Sequence, residues 1–334
     1  MNYKCPVLLV ILAVFLYYYF SPPSSLSGEQ LTEHLNNKVV LICGASSGIG
    51  EELAYQLAPH GTKLVLVARS QDKLDNVRAE LIERGASKEN ILVISFDFSN
   101  VAETKEVVDK TVEKFGGIDY LVSNHAAIVQ GPFLAFPHSQ KPEFLERMFR
   151  VNVFSHIELA VQALPHLEKR KGHMFITSSM AGEVSFYSSG VYVSTKHAIN
   201  GFFYSLQQEL LAKESPVSLT IGAFGLIWTK EMAQVFNSTN RVAPGWATGD
   251  LEECSRGMME AYITRPLTFT YPRLAGRVIR GLWYTLPCYH NMTIQAMKLE
   301  GAEGTGYREM VEARTAQDEI SKKMNYQQGY KVGE

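Results

Sequence analysis

Tyr192 and Lys196, four residues apart, are the two side chains in this sequence best suited to proton transfer. The surrounding pattern predicts a helix, and a separation of four places both side chains on one helical face. A phenol has a pKa of about 10, and a neighbouring ammonium group stabilises its phenolate form. The pair could therefore donate or accept a proton near neutral pH. Taken alone, a tyrosine and a lysine at this spacing are more often ordinary surface residues.

Two further polar residues precede this pair. Ser179 closes a predicted strand, 173–178, thirteen residues before Tyr192, where its hydroxyl could hydrogen-bond the same substrate oxygen. Asn152 lies in a predicted helix, 143–167, that leads into this strand. The combination of these residues, rather than any one of them, predicts a catalytic site.

A glycine-rich loop, CGASSGIG, follows the first predicted strand, and Gly44, Gly48 and Gly50 open a helix there. Glycines allow a sharp turn and a close approach of the backbone to a pyrophosphate, which the free amides of the helix N-terminus would face. The loop is therefore a candidate dinucleotide site. Its spacing is GxxxGxG rather than GxGxxG, and a tight strand-to-helix turn without a ligand is the alternative interpretation.

The end of the second predicted strand, VLVARS, bears on the choice of cofactor. An acidic residue there would accept hydrogen bonds from the ribose 2′-hydroxyl and repel a 2′-phosphate. Ala68 occupies that place, and Arg69 follows with a guanidinium suited to a phosphate. The sequence thus favours NADP(H) over NAD(H), with a solvated surface arginine as the alternative.

Short β-branched runs alternate with longer helical patterns from residue 38 onward, which predicts βαβ units. The predicted strands are 39–43, 63–68, 91–96, 118–123, 173–178 and 217–224. The predicted helices are 51–57, 72–84, 103–115, 143–167 and 193–212. Six such units indicate an α/β fold with a Rossmann-like, doubly wound parallel sheet in a single domain. The motifs described above follow predicted strands, and the carboxyl ends of such strands form the ligand crevice.

The composition is that of a globular protein, with 46% hydrophobic and 20% charged residues in 334. A net charge of −2 without long runs of one sign argues against nucleic acid as a partner. The spacing of the four cysteines suits neither a metal site nor a disulfide scaffold, so no metal is expected. Free thiols are the favoured interpretation, and a bond between Cys254 and Cys288 is the alternative.

The N-terminal segment from Cys5 to Phe20 lacks charged residues and ends in four aromatics. We expect residues 1–22 to form an uncleaved, single-pass membrane anchor, with a cleaved signal peptide as the alternative. Lys4 precedes the segment, whereas Glu29 and Glu33 follow it, which predicts that the main domain lies across the membrane from the cytosol. The expected organisation continues with a linker at 23–36, the domain at 37–300 with a substrate loop at 225–265, and a polar tail at 301–334.

Four motifs, in chain order GASSGIG, SNHAA at 123–127, Ser179 and the YxxxK pair, give a resemblance to the short-chain dehydrogenase/reductase family. Within it the chain is most similar to the microsomal 11β-hydroxysteroid dehydrogenase group. The resemblance implies a catalytic tetrad of Asn152, Ser179, Tyr192 and Lys196, with Asn152 supporting a water relay behind the lysine. The cofactor-binding residues that it implies, together with Arg69, are Gly44, Ser46, Ser47, Gly48, Ile49, Gly50, Asp97, Asn124, Tyr192, Lys196 and Thr229. It also implies a homodimer in the endoplasmic reticulum membrane, with a lumenal domain that reduces a steroid ketone with NADPH.

Large apolar side chains in the predicted substrate loop suit a lipophilic small-molecule substrate. They are Trp228, Met232, Phe236, Trp246, Met258 and Met259. Such residues are also common in ordinary packing, so two alternatives stay open. One is a reductase of the same kind that acts on retinoids, xenobiotic carbonyls or acyl chains. The other is a catalytically silent, membrane-bound scaffold.

Overall fold

The computed structural model describes residues 26–128, 141–186, 189–230, 232–233 and 248–285. The predicted anchor, the polar tail, Phe236 and Trp246 lie outside these residues. Among the helices that are described, none is both long and apolar enough to cross a bilayer.

A seven-stranded parallel sheet forms the centre of the molecule, in the order β3-β2-β1-β4-β5-β6-β9. Its strands, with a short additional pair formed by β7 and β8, are β1 Val39–Cys43, β2 Lys63–Ala68, β3 Ile91–Ser95, β4 Tyr120–Ser123, β5 His173–Thr177, β6 Ser218–Phe224, β7 Leu226–Ile227, β8 Thr248–Gly249 and β9 Thr268–Tyr271. The strand order reverses at β1, because β2 and β3 lie on one side of it and β4, β5 and β6 lie on the other. This is the doubly wound arrangement that the sequence predicts, and the crevice at such a reversal is where these folds bind ligands.

Helices cover both faces of the sheet. They are α1 Gly28–Leu35, α2 Gly48–Leu57, α3 Gln71–Glu83, α4 Lys105–Phe115, α5 Lys141–Phe149, α6 Ser155–Arg170, α7 Gly190–Ala212, α8 Leu251–Thr264 and α9 Arg273–Thr285. Side chains of β1 alternate between two separate core layers: Val40 and Ile42 pack into one, and Val39 and Leu41 into the other. Both layers are buried, which explains why this strand is an unbroken apolar run.

The predicted helix 143–167 is divided into three parts in the structure. A π-helical turn, Arg150–Phe154, separates α5 from α6 and contains the buried Asn152. One extra residue in the helical turn changes the direction of side chains around it, a feature that often marks functional sites. The spacing of apolar residues does not reveal this irregularity.

The region after residue 224 is more regular than the sequence suggests. It contains a seventh strand, β9, beside β6, and two helices, α8 and α9. Met258 and Met259 of α8 are buried in the core, where α8 packs against α2. These two methionines therefore pack in the core from a helix rather than from a loop.

The expected linker at 23–36 contains helix α1. Ser27 caps this helix and forms a reciprocal capping box with Gln30, while Leu31 and Leu35 are buried. The preceding residue is also held, since Arg256 of α8 donates to the Leu26 carbonyl at 3.0 Å. Residues 26–35 thus belong to the folded domain.

Candidate active site

The carboxyl ends of β1, β4, β5 and β6 are neighbours at one edge of the sheet. The glycine loop follows β1, Asn124 follows β4, and Ser179 lies two residues beyond β5. Helix α7 begins at Gly190 and carries Tyr192 and Lys196 in its first two turns. The topology therefore brings the predicted catalytic residues and the candidate dinucleotide loop to the same edge.

Tyr192 and Ser179 share a hydrogen bond between their side chains. The Ser179 hydroxyl is positioned further by the backbone: it donates to the Phe224 carbonyl at 3.1 Å and accepts from the Ala181 amide at 3.1 Å. The two hydroxyls thus lie together at the end of the sheet, where both could contact one substrate oxygen.

Lys196 is buried, with 1% of its surface exposed. Its ammonium group donates to the Thr177 carbonyl at 2.9 Å and lies 5.8 Å from the centroid of the Tyr192 ring. Burial lowers the pKa of Lys196 to about 8, because a desolvated ammonium is costly. The lysine therefore stays mostly protonated at pH 7.

The pKa of Tyr192 departs from the sequence-based expectation. Burial raises it to about 12, and only the hydrogen bond shared with Ser179 acts in the opposite direction. The sequence predicts that the ammonium of Lys196 lowers this pKa, whereas in the structure desolvation dominates. Tyr192 is thus a neutral phenol at physiological pH, the form that can donate a proton.

Asn152 connects three segments from within the π-helical turn. Its Oδ1 accepts from the Ala127 amide at 2.7 Å, and its Nδ2 donates to the Ala127 carbonyl at 2.9 Å. Nδ2 also donates to the Thr195 hydroxyl at 3.2 Å, one residue before Lys196. The side chain is therefore a fixed bridge between the end of β4 and helix α7.

The glycine loop has the backbone conformations that its sequence predicts. Gly44 and Gly48 have φ angles of 83° and 59°, which other residues rarely adopt. A Cβ atom on Gly50 would lie 2.2 Å from the Gly44 carbonyl oxygen, so α2 starts as close to the loop as two backbones allow. Asn124 supports this turn by donating to the same carbonyl at 3.4 Å.

The start of α2 fits a phosphate group. Within the described residues, the side chain of its N-cap, Ser47, makes no hydrogen bond to the helix. The first amides of the helix are thus free of a side-chain cap, and Ser46, Ser47, Gly48 and Ile49 are all partly exposed beside them. Uncapped amides at a helix N-terminus form an anion site, as a pyrophosphate requires.

The other predicted cofactor residues lie on loops after the strands. Arg69 is exposed directly after β2. The Ser95 hydroxyl donates a hydrogen bond to the Arg69 carbonyl at 3.0 Å. Asp97 follows β3 and accepts from the Ser99 amide at 2.9 Å. Thr229 follows β7, and its hydroxyl accepts from the Met232 amide at 3.2 Å. All three stand on the side of the sheet where the strands end.

Sequence reasoning missed the residues that support this site. The Thr177 carbonyl accepts a hydrogen bond from the Lys196 ammonium, and the Thr195 hydroxyl accepts one from the Asn152 amide. The rings of His125 and His156 stack on each other. The segment SNHAA, with a histidine directly after Asn124, was the available signal for His125. Nothing in the spacing of the two threonines indicates their partners.

Comparison with known proteins gives the family. A profile described as short chain dehydrogenase matches residues 38–240, which is more than half of the chain. The chain belongs to the short-chain dehydrogenase/reductase family. It is therefore an oxidoreductase, and the resemblance seen in the sequence is confirmed.

The chain is similar to curated members of this family from vertebrates. A hydroxysteroid 11-beta-dehydrogenase 1-like protein of Gallus gallus is 34% identical over 76% of this chain and 85% of its own length. A protein of the same name in Danio rerio is 40% identical over 59% of this chain and 67% of its own length.

Solved structures of short-chain dehydrogenases confirm the fold. L-Sorbose reductase from Gluconobacter frateurii, complexed with NADPH and L-sorbose, superimposes with a TM-score of 0.62 at 22% identity. The match covers 71% of this chain and 95% of the reductase. A family member from Caenorhabditis elegans gives a TM-score of 0.63 over 74% of this chain and 97% of its own, at 21% identity.

Proposed function

We propose that this short-chain dehydrogenase/reductase interconverts a lipophilic ketone and its secondary alcohol with NADP(H), and that the substrate is a steroid. The observation that carries the proposal is the pair of hydroxyls on Tyr192 and Ser179, backed by Lys196 and placed beside a glycine loop that fits a dinucleotide. The nicotinamide, when bound, supplies or accepts the hydride at the carbonyl carbon.

The protein's own residues handle the oxygen of the substrate. In reduction Ser179 orients the carbonyl, and Tyr192 transfers its phenolic proton to the oxygen as the carbon gains hydride. Lys196, charged at pH 7, stabilises the phenolate that forms. Asn152 supports the route by which the tyrosine regains its proton. In oxidation the same groups act in the reverse order.

The preference for NADP(H) rests on the end of β2. Ala68 is buried and cannot accept hydrogen bonds from a ribose, whereas Arg69 is exposed and free to meet a 2′-phosphate. Ser47 and Glu51 are not cations, so Arg69 carries this preference. NADPH in the solved L-sorbose reductase complex supports the assignment.

The lipophilic nature of the substrate is supported by two exposed aromatic side chains in the segments that follow β5 and β7. Trp228 is 43% exposed just after β7, and Phe186 is 40% exposed seven residues after Ser179. Exposed aromatic surface on the segments after the strand ends suits an apolar ligand. The name of the vertebrate relatives indicates the steroid class.

A panel of carbonyl compounds tests this proposal. The chain is incubated with NADPH or NADH and with a steroid ketone, a retinal, a quinone or an acyl ketone, and the alcohol products are identified by mass spectrometry. We expect turnover of the steroid ketone with NADPH. Turnover of another compound alone would select the alternative reductase, and cofactor binding without turnover of any carbonyl would select the silent scaffold.

We further propose that the enzyme is a homodimer anchored in the endoplasmic reticulum membrane, with its domain in the lumen. The charge difference between Lys4 and the pair Glu29 and Glu33 supports this orientation. Two N-glycosylation sequons, at Asn237 and Asn291, lie outside the described residues.

In eukaryotic cells glycosidase treatment should shift the protein's gel mobility, and Asn237→Gln should remove part of the shift. Protease digestion of an unglycosylated domain on intact microsomes would refute the lumenal placement.

A further inference from the structure

Two buried histidines stack behind the catalytic residues. His125 follows Asn124 at the end of β4, and His156 lies in the first turn of α6. Their ring centroids are 3.9 Å apart at an interplanar angle of 17°, and Phe98 stacks on the other side of His125 at 3.7 Å. His125 is 6% exposed and His156 is fully buried. Such a stack in a core is costly unless its polar atoms are satisfied.

The hydrogen bonds fix the tautomer of His156. Its Nε2 lies 2.9 Å from the His125 carbonyl, which can only accept, so Nε2 carries the hydrogen. Its Nδ1 then accepts from the Ser123 hydroxyl at 2.7 Å. His156 thus holds the end of β4 by two bonds, one to a side chain and one to the backbone.

The same reasoning applies to His125. The Ser155 hydroxyl donates to the Val151 carbonyl at 2.7 Å, so it accepts from His125 Nε2, which is also 2.7 Å away. His125 Nδ1 is then a bare acceptor, and no partner for it exists among the described residues. A proton added there would have no acceptor.

The two rings therefore stay neutral. Burial holds the pKa of both histidines well below the ordinary value, and the positive charge of Lys196 lowers both further. The neighbouring His156 also lowers the pKa of His125, whereas the hydrogen bond to the His125 carbonyl opposes the lowering of the pKa of His156. A neutral stack keeps its donor and acceptor pattern unchanged across the physiological pH range.

The stack acts on the turn that carries Asn152. Ser155 directly follows the π-helical turn, and Val151, which receives the Ser155 hydroxyl, directly precedes Asn152. Asn152 in turn holds Ala127, two residues beyond His125. The histidines and Asn152 thus join the same two segments, 123–127 and 151–156, at neighbouring points.

We propose that His125 and His156 are positioning residues that hold Asn152 in its bridging geometry between the end of β4 and Thr195. This rests on the proposed function only for its effect on turnover. The geometric part concerns the Asn152 side chain and is measurable without a substrate.

Two substitutions of His125 separate its roles. His125→Phe keeps a flat ring between Phe98 and His156 but loses the donor to Ser155. His125→Gln keeps a donor of similar reach but loses the stacking. If the bond to Ser155 positions Asn152, His125→Phe should lower kcat by about tenfold to a hundredfold, the effect expected for a displacement of about 1 Å, with a smaller change in the KM for NADPH. His125→Gln should retain more of the kcat.

A control variant accounts for general destabilisation. His173 is a buried histidine at the amino end of β5, and its Nδ1 lies 2.7 Å from the Ser218 hydroxyl. His173→Phe should reduce stability while leaving kcat of the folded fraction unchanged. An equal loss of kcat in His173→Phe and His125→Phe would overturn the proposal.

A double-mutant cycle with Asn152→Ala tests whether the histidine acts through the asparagine. In the Asn152→Ala background His125→Phe should lower kcat by less than about twofold, because the group it positions is gone. Fully additive losses would overturn the proposal.

The measurement independent of turnover is the side-chain amide of Asn152. In ¹⁵N-labelled protein its Nδ2 resonance, assigned by its loss in Asn152→Ala, should exchange its protons slowly. His125→Phe should accelerate this exchange at least tenfold. Unchanged exchange would overturn the positioning role, whereas a wild type without turnover but with this acceleration would overturn the proposed function alone.

Discussion

At the scale of single residues, burial decides the chemistry of the site more than neighbouring charge does. Tyr192 is half-buried and stays protonated because desolvation raises its pKa to about 12. The residue types of the site were predictable, because Tyr192, Lys196 and Ser179 stand in an ordered spacing. The partners of Asn152 were not, since Ala127 and Thr195 lie 25 and 43 residues away in the sequence. Only the folded chain brings them together.

The choice between NADPH and NADH also depends on a single side chain, that of Arg69. Arg69→Asp places a negative charge where we expect the 2′-phosphate of NADPH. A hydrogen bond to a charged group contributes about 1.5–3 kcal/mol, so the affinity for NADPH should fall by roughly tenfold to a hundredfold or more. The affinity for NADH should change little, because its ribose lacks the phosphate. Fluorescence titration of both cofactors measures the two dissociation constants.

Lys88→Asp is the matched control for this charge reversal. Lys88 is exposed in the turn before β3, at the opposite end of the sheet from Arg69. It should leave the ratio of the two dissociation constants unchanged. An equal loss of NADPH and NADH affinity in Arg69→Asp would show that the arginine does not recognise the phosphate.

Among the secondary-structure elements, the first six strands follow the sequence pattern because each is a short, mainly apolar run, and all but β3 are buried at nearly every position. All six agree with the prediction at one or both ends, and β1 and β2 agree at both. β9 is short, and its four residues, Thr268–Tyr271, alternate polar and aromatic side chains at the edge of the sheet. The start of α8 carried a capping residue, Asp250, whose side chain accepts from the Glu253 amide. Apolar residues do not recur at a clear, regular spacing in these two segments, so the sequence predicted neither β9 nor α8.

The close approach of α2 to the glycine loop leaves no room for a side chain at position 50. Gly50→Ala puts a methyl group 2.2 Å from the Gly44 carbonyl oxygen, so the loop or the helix must move. We expect a loss of stability of about 1–3 kcal/mol, as for other overpacked sites, together with weaker cofactor binding. Urea unfolding and cofactor titration measure the two effects.

Gly201→Ala provides the control, because Gly201 is exposed within α7 and a Cβ atom there would meet nothing within 4 Å. Alanine in a helix interior should stabilise the protein by roughly 0.5–1 kcal/mol. If Gly50→Ala is as stable as Gly201→Ala and binds cofactor normally, the loop does not need the close contact.

At the scale of the whole molecule, stability depends on keeping three histidines neutral in the core. Burial lowers the pKa of His125, His156 and His173 below the ordinary value, in the last case to about 3. The unfolded chain therefore takes up protons before the folded one does as pH falls. The stability linked to these histidines is fully present above about pH 6.5 and is lost as pH decreases through and below that value.

Urea unfolding between pH 7.5 and pH 5.5 measures this linkage. Each histidine should contribute a decrease of about 1.4 kcal/mol in the free energy of unfolding per pH unit below its unfolded pKa. His173→Phe, measured against itself across the same range, should show a shallower decrease than the wild type. A free energy of unfolding that is constant over this range would contradict the neutral, buried state of all three rings.

In the proposed carbonyl reduction, Tyr192 donates the proton to the substrate oxygen. Tyr192→Phe keeps the ring in place but removes the hydroxyl, so steady-state NADPH oxidation with a steroid ketone should fall by roughly two orders of magnitude or more, while NADPH binding stays near that of the wild type. Tyr55→Phe, which removes a hydroxyl that donates to Glu51 on α2, serves as the control and should retain turnover. Near-normal turnover by Tyr192→Phe, beside an active wild type, would show that Tyr192 is not the proton donor.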